Sequence, residues 1–415
     1  MQIVKLGIVG AGFVATFHCR ALLQVRGIDV VGITSRTRAR AETLAQTVRA
    51  QGLGDCIVYD SISAMAPHVD VIAIYAPNFA RVAHVEEIVD AVKQGAQLKG
   101  VICEKPLARN VAEARRMVEL IESIGLPNAY FENQLFMKPI RVQLEQLRPQ
   151  QQTMGPLVLT RSAEEHGGPH EPWFWDPTRQ GGGVLSDMGC HSIAVGWYAL
   201  TPYGKPVDFL QPISVSADCA LLKWGQPIWR DQLLARFGVD YSKTPAEDFA
   251  TGMVTYRNPE TGQLSKAQFT NSWMFEKQGL RLFMDGMGPG YAFEVNTLRS
   301  LLEIFVGDAA AEAIADSEQA LEKSTASRGL LAVHYNEPDL YGYTDEIEEA
   351  RTAFLAGRNG FLSWRYGLEI TKLVMAAYMA DEQRRTIDLT DPAIQQALET
   401  YVPLIQQGRG GEVLL

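Results

Sequence analysis

The stretch IVKLGIVGAGFVA, from Ile3 to Ala15, decides the fold of the first part of this chain. An apolar run, Ile3–Val9, leads directly into the pattern G-x-G-x-x-A. Gly10 permits a tight turn, Gly12 lets the backbone approach a pyrophosphate, and Ala15 lets a helix pack closely against the strand. The following helix would direct its N-terminus at phosphates. The stretch therefore predicts a dinucleotide site, whose cofactor-binding residues here are Gly10, Gly12, Phe13, Val14 and Ala15.

A second strand, Asp29–Ile33, ends where the adenosine ribose of a dinucleotide is expected. An NAD site usually has a carboxylate there, whereas this chain offers Ser35, Arg36 and Arg38. These donors suit a 2′-phosphate through charge-assisted hydrogen bonds. The alternative is that both arginines are solvated residues at the start of the next helix. The pattern predicts NAD(P) as cofactor, with a preference for NADP.

Strand and helix patterns alternate through the first 133 residues. The further strands are predicted at Cys56–Tyr59, Val69–Tyr75, Val101–Cys103 and Ala129–Asn133, and the helices at Val82–Gly95 and Val111–Ile124. This alternation predicts a doubly wound parallel sheet, an α/β Rossmann domain over residues 1–133.

One of these strands ends in the charged pair Glu104-Lys105, followed by Pro106. The proline disfavours helical geometry at Lys105, so the lysine is expected in an extended link at the carboxyl edge of the sheet. The alternative is an ordinary surface lysine in a solvated loop.

The pattern changes to period-two alternation after Asn133. Strands are predicted at Leu157–Glu164, Ala250–Tyr256, Leu264–Trp273, Leu280–Asp285 and Tyr291–Val295, and helices at Glu346–Ala356 and Tyr366–Asp381. Sequential strands joined by short turns predict an antiparallel sheet. We expect an α+β domain over residues 134–389, a C-terminal tail over 390–415, and a surface insertion at Trp224–Thr244.

Two polar residues interrupt the glycine-rich, apolar segment Gly181–Leu200. Asp187 and His191 are four residues apart, so they would share one face of a helix. The alternative is that Asp187 caps the helix and His191 only packs.

Histidines and tryptophans cluster in the segment Glu164–Trp175. The spacing of His166 and His170 matches no recognised metal motif, so no metal is predicted. His166 is expected to line a polar pocket or a surface loop. Trp173 and Trp175 could stack on a sugar ring, although packing is the expected use of at least one of them.

The composition restricts the class of protein. The chain has 415 residues, 47% of them hydrophobic, 21% charged, and a net charge of −10. The negative charge argues against nucleic acid or an anionic membrane as partner. Five scattered cysteines without a C-x-x-C pair indicate reduced thiols and a cytoplasmic location. Neither a signal peptide nor a transmembrane segment is indicated.

The motifs GIVGAGFVA, IAIYAPN and ICEKPLARNVAEA, in this order, resemble the glucose-fructose oxidoreductase / inositol dehydrogenase / MocA family (Gfo/Idh/MocA). The helix YGLEITKLVMAAYMAD matches the closing pattern of that family. The resemblance implies a second domain with a large, open, mostly antiparallel sheet, and a homodimer or homotetramer formed through it.

The resemblance also implies roles for individual residues. Lys105 would lie beside nicotinamide and substrate, and Asp187 and His191 would be in the active site. The cofactor side would include Ala76, Asn78, Glu104 and Lys105. The substrate side would include Asn133, His166, Trp173, Trp175, Asp187 and His191. One departure is visible: the family often has Pro-Asn-x-x-His, whereas here Arg81 follows Pro77-Asn78 at that spacing.

The leading hypothesis is an NAD(P)-dependent dehydrogenase acting on a secondary alcohol of a sugar, sugar derivative or polyol. His191 would accept the hydroxyl proton and Lys105 would stabilise the developing charge, or Lys105 itself would be the base. Asp187 would orient the substrate or the histidine. A second hypothesis is a glycoside hydrolase that retains its NAD(P) and acts by transient oxidation, elimination and re-reduction. A third is a non-catalytic, cofactor-binding regulator.

Overall fold

The computed structural model describes residues 2–277, 279–298, 303–306, 329–332 and 336–414. The chain divides into two units. The first comprises Met1–Lys138 and Asn336–Thr371, and the second comprises Pro139–Tyr335 and Lys372–Leu415. The functional limits 1–133, 134–389 and 390–415 stay predictions.

The first unit contains a six-stranded parallel sheet in the order β3-β2-β1-β4-β5-β6. Its strands are β1 (Val4–Val9), β2 (Ile28–Thr34), β3 (Ile57–Val58), β4 (Val71–Ile74), β5 (Gly100–Glu104) and β6 (Asn128–Phe131). The helices between and beside them are α1 (Phe13–Leu22), α2 (Arg38–Ala50), α3 (Ile62–Met65), α4 (Arg81–Lys93) and α5 (Val111–Ser123). This order confirms the predicted Rossmann topology, because the strand order reverses on either side of β1.

The second unit is built on a seven-stranded sheet in the order β12-β11-β7-β10-β9-β8-β15. The strands up to β12 are β7 (Leu159–Glu165), β8 (Gln211–Ala220), β9 (Phe249–Arg257), β10 (Leu264–Ser272), β11 (Arg281–Gly288) and β12 (Tyr291–Asn296). Only the pairing of β7 with β10 is parallel among these described strands. The predicted mostly antiparallel sheet is therefore confirmed, whereas assembly through this sheet stays a prediction.

The remaining elements follow in chain order. The helices beside the second sheet are α6 (Lys138–Gln146), α7 (Arg148–Met154), α8 (Pro177–Gln180), α9 (Cys190–Leu200) and α10 (Pro227–Phe237). The C-terminal elements are β13 (Glu303–Val306), β14 (Gly329–Ala332), α11 (Glu337–Leu340), α12 (Tyr343–Leu355), α13 (Trp364–Gln383), β15 (Ile387–Asp388), α14 (Pro392–Thr400) and α15 (Gly411–Leu414). No helix in the described part of the chain is long and apolar enough to cross a membrane.

Helix α9 packs directly on β7 and β10. Gly196 makes this possible, because a Cβ atom at that position would lie 2.9 Å from the Cβ of Ala267. The hydroxyl of Thr160 on β7 donates to the carbonyl oxygen of Gly196 at 3.3 Å. The close approach brings the N-terminal part of α9 against the polar end of β7.

A π-helical turn, Leu185–Gly189, leads into α9, and the buried carboxylate of Glu247 holds the turn in place. Glu247 accepts hydrogen bonds from the backbone N–H groups of Gly183 at 2.9 Å and Leu185 at 3.0 Å, and from the Tyr378 hydroxyl at 2.6 Å. Burial raises the pKa of Glu247 to about 7, while the hydrogen bonds from Tyr378 and the two backbone groups act in the opposite direction.

The segment Trp224–Thr244, predicted as a surface insertion, is mostly exposed but is anchored by two buried aromatic residues. Trp224 and Tyr241 are 8% and 1% exposed, and their rings lie 4.7 and 6.0 Å from that of Trp175. The Trp224 indole nitrogen donates to the carbonyl oxygen of Trp273 at 2.8 Å. Helix α10 between these aromatic residues is mostly exposed, with Leu233 as its buried residue, in agreement with the predicted surface position. The sequence did not reveal the buried aromatic residues at either end.

We expect Trp224→Ala to lower the free energy of unfolding by about 3–5 kcal/mol, because it leaves a cavity beside Trp175 and Trp273. Urea denaturation of the full chain measures this. Ile228→Ala is the matched control in the same segment, since Ile228 is 63% exposed. Equal, small losses in both variants would contradict the buried aromatic cluster.

We expect the contribution of Glu247 to stability to fall as the pH rises from its ordinary pKa of 4.5 to about 7. The folded protein keeps the proton over this window while the unfolded chain releases it, so deprotonation favours unfolding. Urea denaturation of wild type and Glu247→Gln between pH 4.5 and pH 8 gives the difference in stability, because glutamine cannot ionise.

The wild type should lose stability relative to Glu247→Gln across that window. Glu260→Gln, at a carboxylate whose side chain is 58% exposed, should follow the wild type at every pH. Parallel curves for wild type and Glu247→Gln would show that Glu247 does not titrate there.

Candidate active site

The turn between β1 and α1 has the geometry of a pyrophosphate site. Gly10 has φ +102°, and a Cβ there would lie 2.9 Å from the backbone nitrogen of Ala76. A Cβ on Gly12 would meet nothing within 4 Å, so the backbone is open on that side. Helix α1 then begins at Phe13, with no acidic residue in its first turn. Open backbone at a helix N-terminus fits the phosphates of a dinucleotide.

The side chains after β2 differ in the charges that surround them. Arg38 is paired with Glu42 at 3.0 Å and with Asp60. Arg36 is exposed, and its guanidinium carbon lies 6.0 Å from the centre of the Phe79 ring. Two carboxylates thus offset the charge of Arg38, which favours Arg36 as the partner of an anionic ligand.

Lys105 follows β5 directly and is half-buried. Its backbone N–H donates to Oε2 of Glu104 at 3.0 Å, and the Lys105–Pro106 peptide bond is cis. The lysine therefore lies at the carboxyl edge of the parallel sheet, as the sequence predicts.

The carboxylate of Glu104 is buried and held by His18. The distance from His18 Nε2 to Glu104 Oε1 is 2.7 Å, and the His18 ring stacks on Tyr75 at 4.1 Å. Burial acts to raise the pKa of Glu104, but the hydrogen bond from His18 and the charges of His18, Lys105 and Arg81 outweigh it and lower that pKa. An ionised carboxylate only accepts hydrogen bonds, so Nε2 of His18 carries the proton.

Glu346 on α12 completes a buried cluster with His18 and Glu104. Its side chain is 1% exposed, and neither of its oxygens has a hydrogen-bond partner among the described residues. One oxygen lies within 4.8 Å of ligand atoms of the other two residues. Burial, with the charges of Glu104 and Glu132, raises the pKa of Glu346. A metal ion is disfavoured at this cluster for two reasons. The positive charges of Lys105 and Arg81 would repel it, and His18 is already hydrogen-bonded to Glu104. The cluster therefore holds a proton more readily than a metal ion.

Sequence reasoning recorded Arg81 only as a departure from a motif. Its side chain is 4% exposed and donates to four carbonyl oxygens, those of Ala76, Glu104, Lys105 and Pro106. Ala76 and Asn78, predicted on the cofactor side, are 5% and 2% exposed.

Asp187 and His191 lie in the second unit and are 5% and 3% exposed. Asp187 belongs to the π-helical turn, and α9 begins after it without a side-chain cap, so the capping alternative for Asp187 is wrong. The two residues are not on one regular α-helix, because the helix changes from π to α between them.

Glu164 is a site residue that the predicted set omitted. Its Oε2 atom lies 3.8 Å from Nε2 of His191, and its side chain is 8% exposed. The Asn271 side chain donates to the Glu164 carbonyl oxygen at 3.4 Å and to the Ser192 hydroxyl at 2.9 Å. The signal in the sequence was the alternation that puts a carboxylate on the buried face of β7.

The other predicted substrate residues have different environments. Asn133 is 6% exposed and donates to the Tyr341 carbonyl oxygen at 2.7 Å. His166 is half-buried, and its Nδ1 accepts from the N–H of Gly168 at 3.0 Å. Trp173 is half-buried and stacked on Phe174 at 3.9 Å. For these three a role at the substrate stays a prediction.

Trp175 corrects the predicted set. It is 1% exposed and packs against Trp224, Tyr241 and Trp273. Its indole nitrogen donates to the Pro169 carbonyl oxygen at 3.0 Å. Surrounded by these rings, it has no face open to a sugar, so it is a core residue.

Comparison with known proteins agrees with this geometry. Residues 4–129 match the model of an oxidoreductase family with an NAD-binding Rossmann fold (GFO_IDH_MocA), and residues 149–286 match the GFO/IDH/MocA C-terminal domain. The chain is similar to D-glucoside 3-dehydrogenase of Escherichia coli K12, with 28% identity over 48% of this chain and 54% of that protein. It is also similar to glucose-6-phosphate 3-dehydrogenase of Bacillus subtilis 168, with 23% identity over 47% and 53%.

The chain thus spans about half the length of the curated relatives it matches. Among solved structures, GenD2 from gentamicin A biosynthesis, in complex with NAD, superposes with a TM-score of 0.72 at 18% identity, covering 94% of this chain and 97% of GenD2. That likeness supports the fold. The two family models together cover the parallel sheet and most of the antiparallel sheet, and the chain belongs to the Gfo/Idh/MocA family of oxidoreductases.

Proposed function

We propose that this protein is an NAD(P)-dependent dehydrogenase that acts on a secondary alcohol of a sugar, sugar derivative or polyol. The observation that carries the proposal is the buried imidazole of His191, with the Glu164 carboxylate 3.8 Å away, in a chain with an NAD-binding domain. The curated relatives are named as dehydrogenases of glucosides and of glucose 6-phosphate, which favours net oxidation over the retained-cofactor hydrolase.

Each of the predicted catalytic residues has a separate role in alcohol oxidation. His191 accepts the hydroxyl proton, and the negative charge of Glu164 stabilises the imidazolium that forms. Lys105 donates a hydrogen bond that stabilises the negative charge developing on an alcohol oxygen. Asp187 orients the substrate or the histidine. A bound nicotinamide supplies the hydride acceptor, and this chemistry belongs to the cofactor.

We assign the base to His191 rather than Lys105 for an electrostatic reason. The neighbour of His191 is a carboxylate, which favours taking up a proton. The carboxylate of Glu104 interacts attractively with the charge of Lys105, which favours the ammonium form of the lysine. An ammonium group at that place serves better as a hydrogen-bond donor than as a proton acceptor.

Lys105→Ala and His191→Ala should each lower kcat by about 10²–10⁴-fold, the usual contribution of one acid–base or electrostatic group. Cofactor affinity should stay within about twofold of wild type, since neither role requires a phosphate or ribose contact. The measurement is absorbance of reduced nicotinamide on a panel of sugars, sugar phosphates and polyols, with cofactor binding followed by fluorescence.

Matched controls are Lys99→Ala, at a lysine bridged to Asp70, and His68→Ala, at an exposed histidine. Both should turn over like the wild type. Near-normal rates in Lys105→Ala and His191→Ala would refute the assigned roles. A glycoside cleaved without net change in absorbance would replace the dehydrogenase with the hydrolase.

We further propose that the cofactor is NADP, with Ser35 and Arg36 as the main ligands of the 2′-phosphate and Arg38 as a weaker contributor. Arg36 is exposed after β2, whereas Arg38 is shared with Glu42 and Asp60. A guanidinium–phosphate hydrogen bond contributes about 1.5–3 kcal/mol, which corresponds to about 10–100-fold in affinity.

Arg36→Ala should therefore weaken NADPH binding by about 10–100-fold and leave NADH binding unchanged, as measured by fluorescence titration. Arg40→Ala, at an exposed arginine on α2, is the control and should bind both like the wild type. A preference for NADH in the wild type that persists in Arg36→Ala would overturn the NADP assignment.

A further inference from the structure

Arg81 is a buried cation that donates hydrogen bonds to four backbone carbonyl oxygens. Nε donates to Ala76 at 3.1 Å, one terminal nitrogen donates to Lys105 at 3.2 Å, and the other bonds both Glu104 and Pro106. Three of these carbonyls belong to consecutive residues around the lysine, and the fourth belongs to the loop that follows β4. One side chain thus ties together two loops at the carboxyl edge of the sheet.

Two of these carbonyl groups, those of Lys105 and Pro106, need a partner that the sheet does not provide. Strand β5 ends at Glu104, so Lys105 and Pro106 lie beyond the ladder of hydrogen bonds with β6. A buried carbonyl without a partner costs about 1–3 kcal/mol. A guanidinium group carries five N–H donors in a rigid plane, so it can bind several carbonyl oxygens at once. A histidine ring carries at most two N–H donors, and the donors of an ammonium group all lie on one nitrogen atom.

The charge of Arg81 is also compensated locally. The ionised carboxylate of Glu104 belongs to one of the residues that Arg81 binds, and the attraction between Arg81 and Glu104 is one cause of the low pKa of that carboxyl. Glu104 in turn accepts from the Lys105 N–H at 3.0 Å and from His18 at 2.7 Å. The backbone around Lys105 is therefore held by its N–H on one side and by its carbonyl on the other.

We propose that Arg81 is a positioning residue for Lys105, fixing the backbone of residues 104–106 to that of Ala76 so that the ammonium group is presented in one orientation. It takes the place of the histidine that the family often has after Pro-Asn. The effect on turnover rests on the proposed dehydrogenase function, whereas the effect on the backbone does not.

The first test therefore measures the backbone without any turnover. Hydrogen–deuterium exchange of the full chain is followed in peptides covering residues 100–110 and 126–133, for wild type, Arg81→Ala, Arg81→Lys and Arg81→His. We expect exchange at least about tenfold faster at 100–110 in all three variants, while 126–133 keeps its wild-type rate. Wild-type exchange at 100–110 in Arg81→Ala or Arg81→His would overturn the positioning role.

The second test measures turnover. The kcat should fall by about 10²-fold in Arg81→Lys and Arg81→His, as expected for a displacement of about 1 Å in a reacting group, with KM and cofactor affinity nearly unchanged. Guanidinium ion at millimolar concentration should restore part of the rate of Arg81→Ala, and ethylammonium should not. Arg116→Ala, at an arginine on α5 paired with Glu86, is the control and should match the wild type.

The two proposals fail in different ways. A wild type that oxidises no sugar or polyol, with faster exchange in the Arg81 variants, would remove the dehydrogenase and leave the positioning role. A wild type that oxidises a sugar or polyol, together with full activity and wild-type exchange in Arg81→Lys, would remove the positioning role and leave the dehydrogenase. If Arg81→Ala does not fold, Arg81→Lys and Arg81→His retain the bulk of a side chain and give the same readouts.

Discussion

Arg81 and Glu247 each have an ionised or ionisable group in the protein interior, and backbone groups of opposite polarity surround that group. The guanidinium binds carbonyl oxygens around Lys105, and the carboxyl group binds the N–H groups that precede Asp187. Burying an ion costs several kcal/mol, and only well-formed hydrogen bonds offset that cost. Each predicted catalytic segment therefore has its shape determined by one buried polar side chain from elsewhere in its own unit.

In the cluster of His18, Glu104 and Glu346, the neighbouring groups set the pKa of each buried carboxyl group. Two carboxyl groups this close cannot both ionise in a low-dielectric interior without a large repulsion. Hydrogen bonding to His18 helps to lower the pKa of Glu104, whereas Glu346 has no such donor in the described part of the chain and its pKa is raised. The environment thus shifts the pKa values of two chemically identical side chains in opposite directions, down for Glu104 and up for Glu346.

The residues missed from the sequence share one property. Arg81, Glu164, Glu247 and Trp224 act through partners that are distant along the chain: 23 residues separate Arg81 from Glu104, and 64 separate Glu247 from Gly183. No periodicity or short motif encodes such pairs, although the alternation along β7 does place the Glu164 carboxylate on the buried face of that strand. The misassignment of Trp175 has the same origin, because its burial depends on Trp224, Tyr241 and Trp273, which follow much later in the sequence.

The sequence by itself determined the Rossmann unit, the antiparallel sheet and the family, because strand and helix periods and the glycine spacing of Gly10 and Gly12 are local properties of the chain. It also placed Lys105 correctly at the end of a strand, since the proline that follows is a local constraint. Only the tertiary structure decided which carboxylate lies beside His191, which tryptophan is core, and what holds the lysine loop. Those outcomes depend on burial and on long-range hydrogen bonds, which arise only when distant segments pack together.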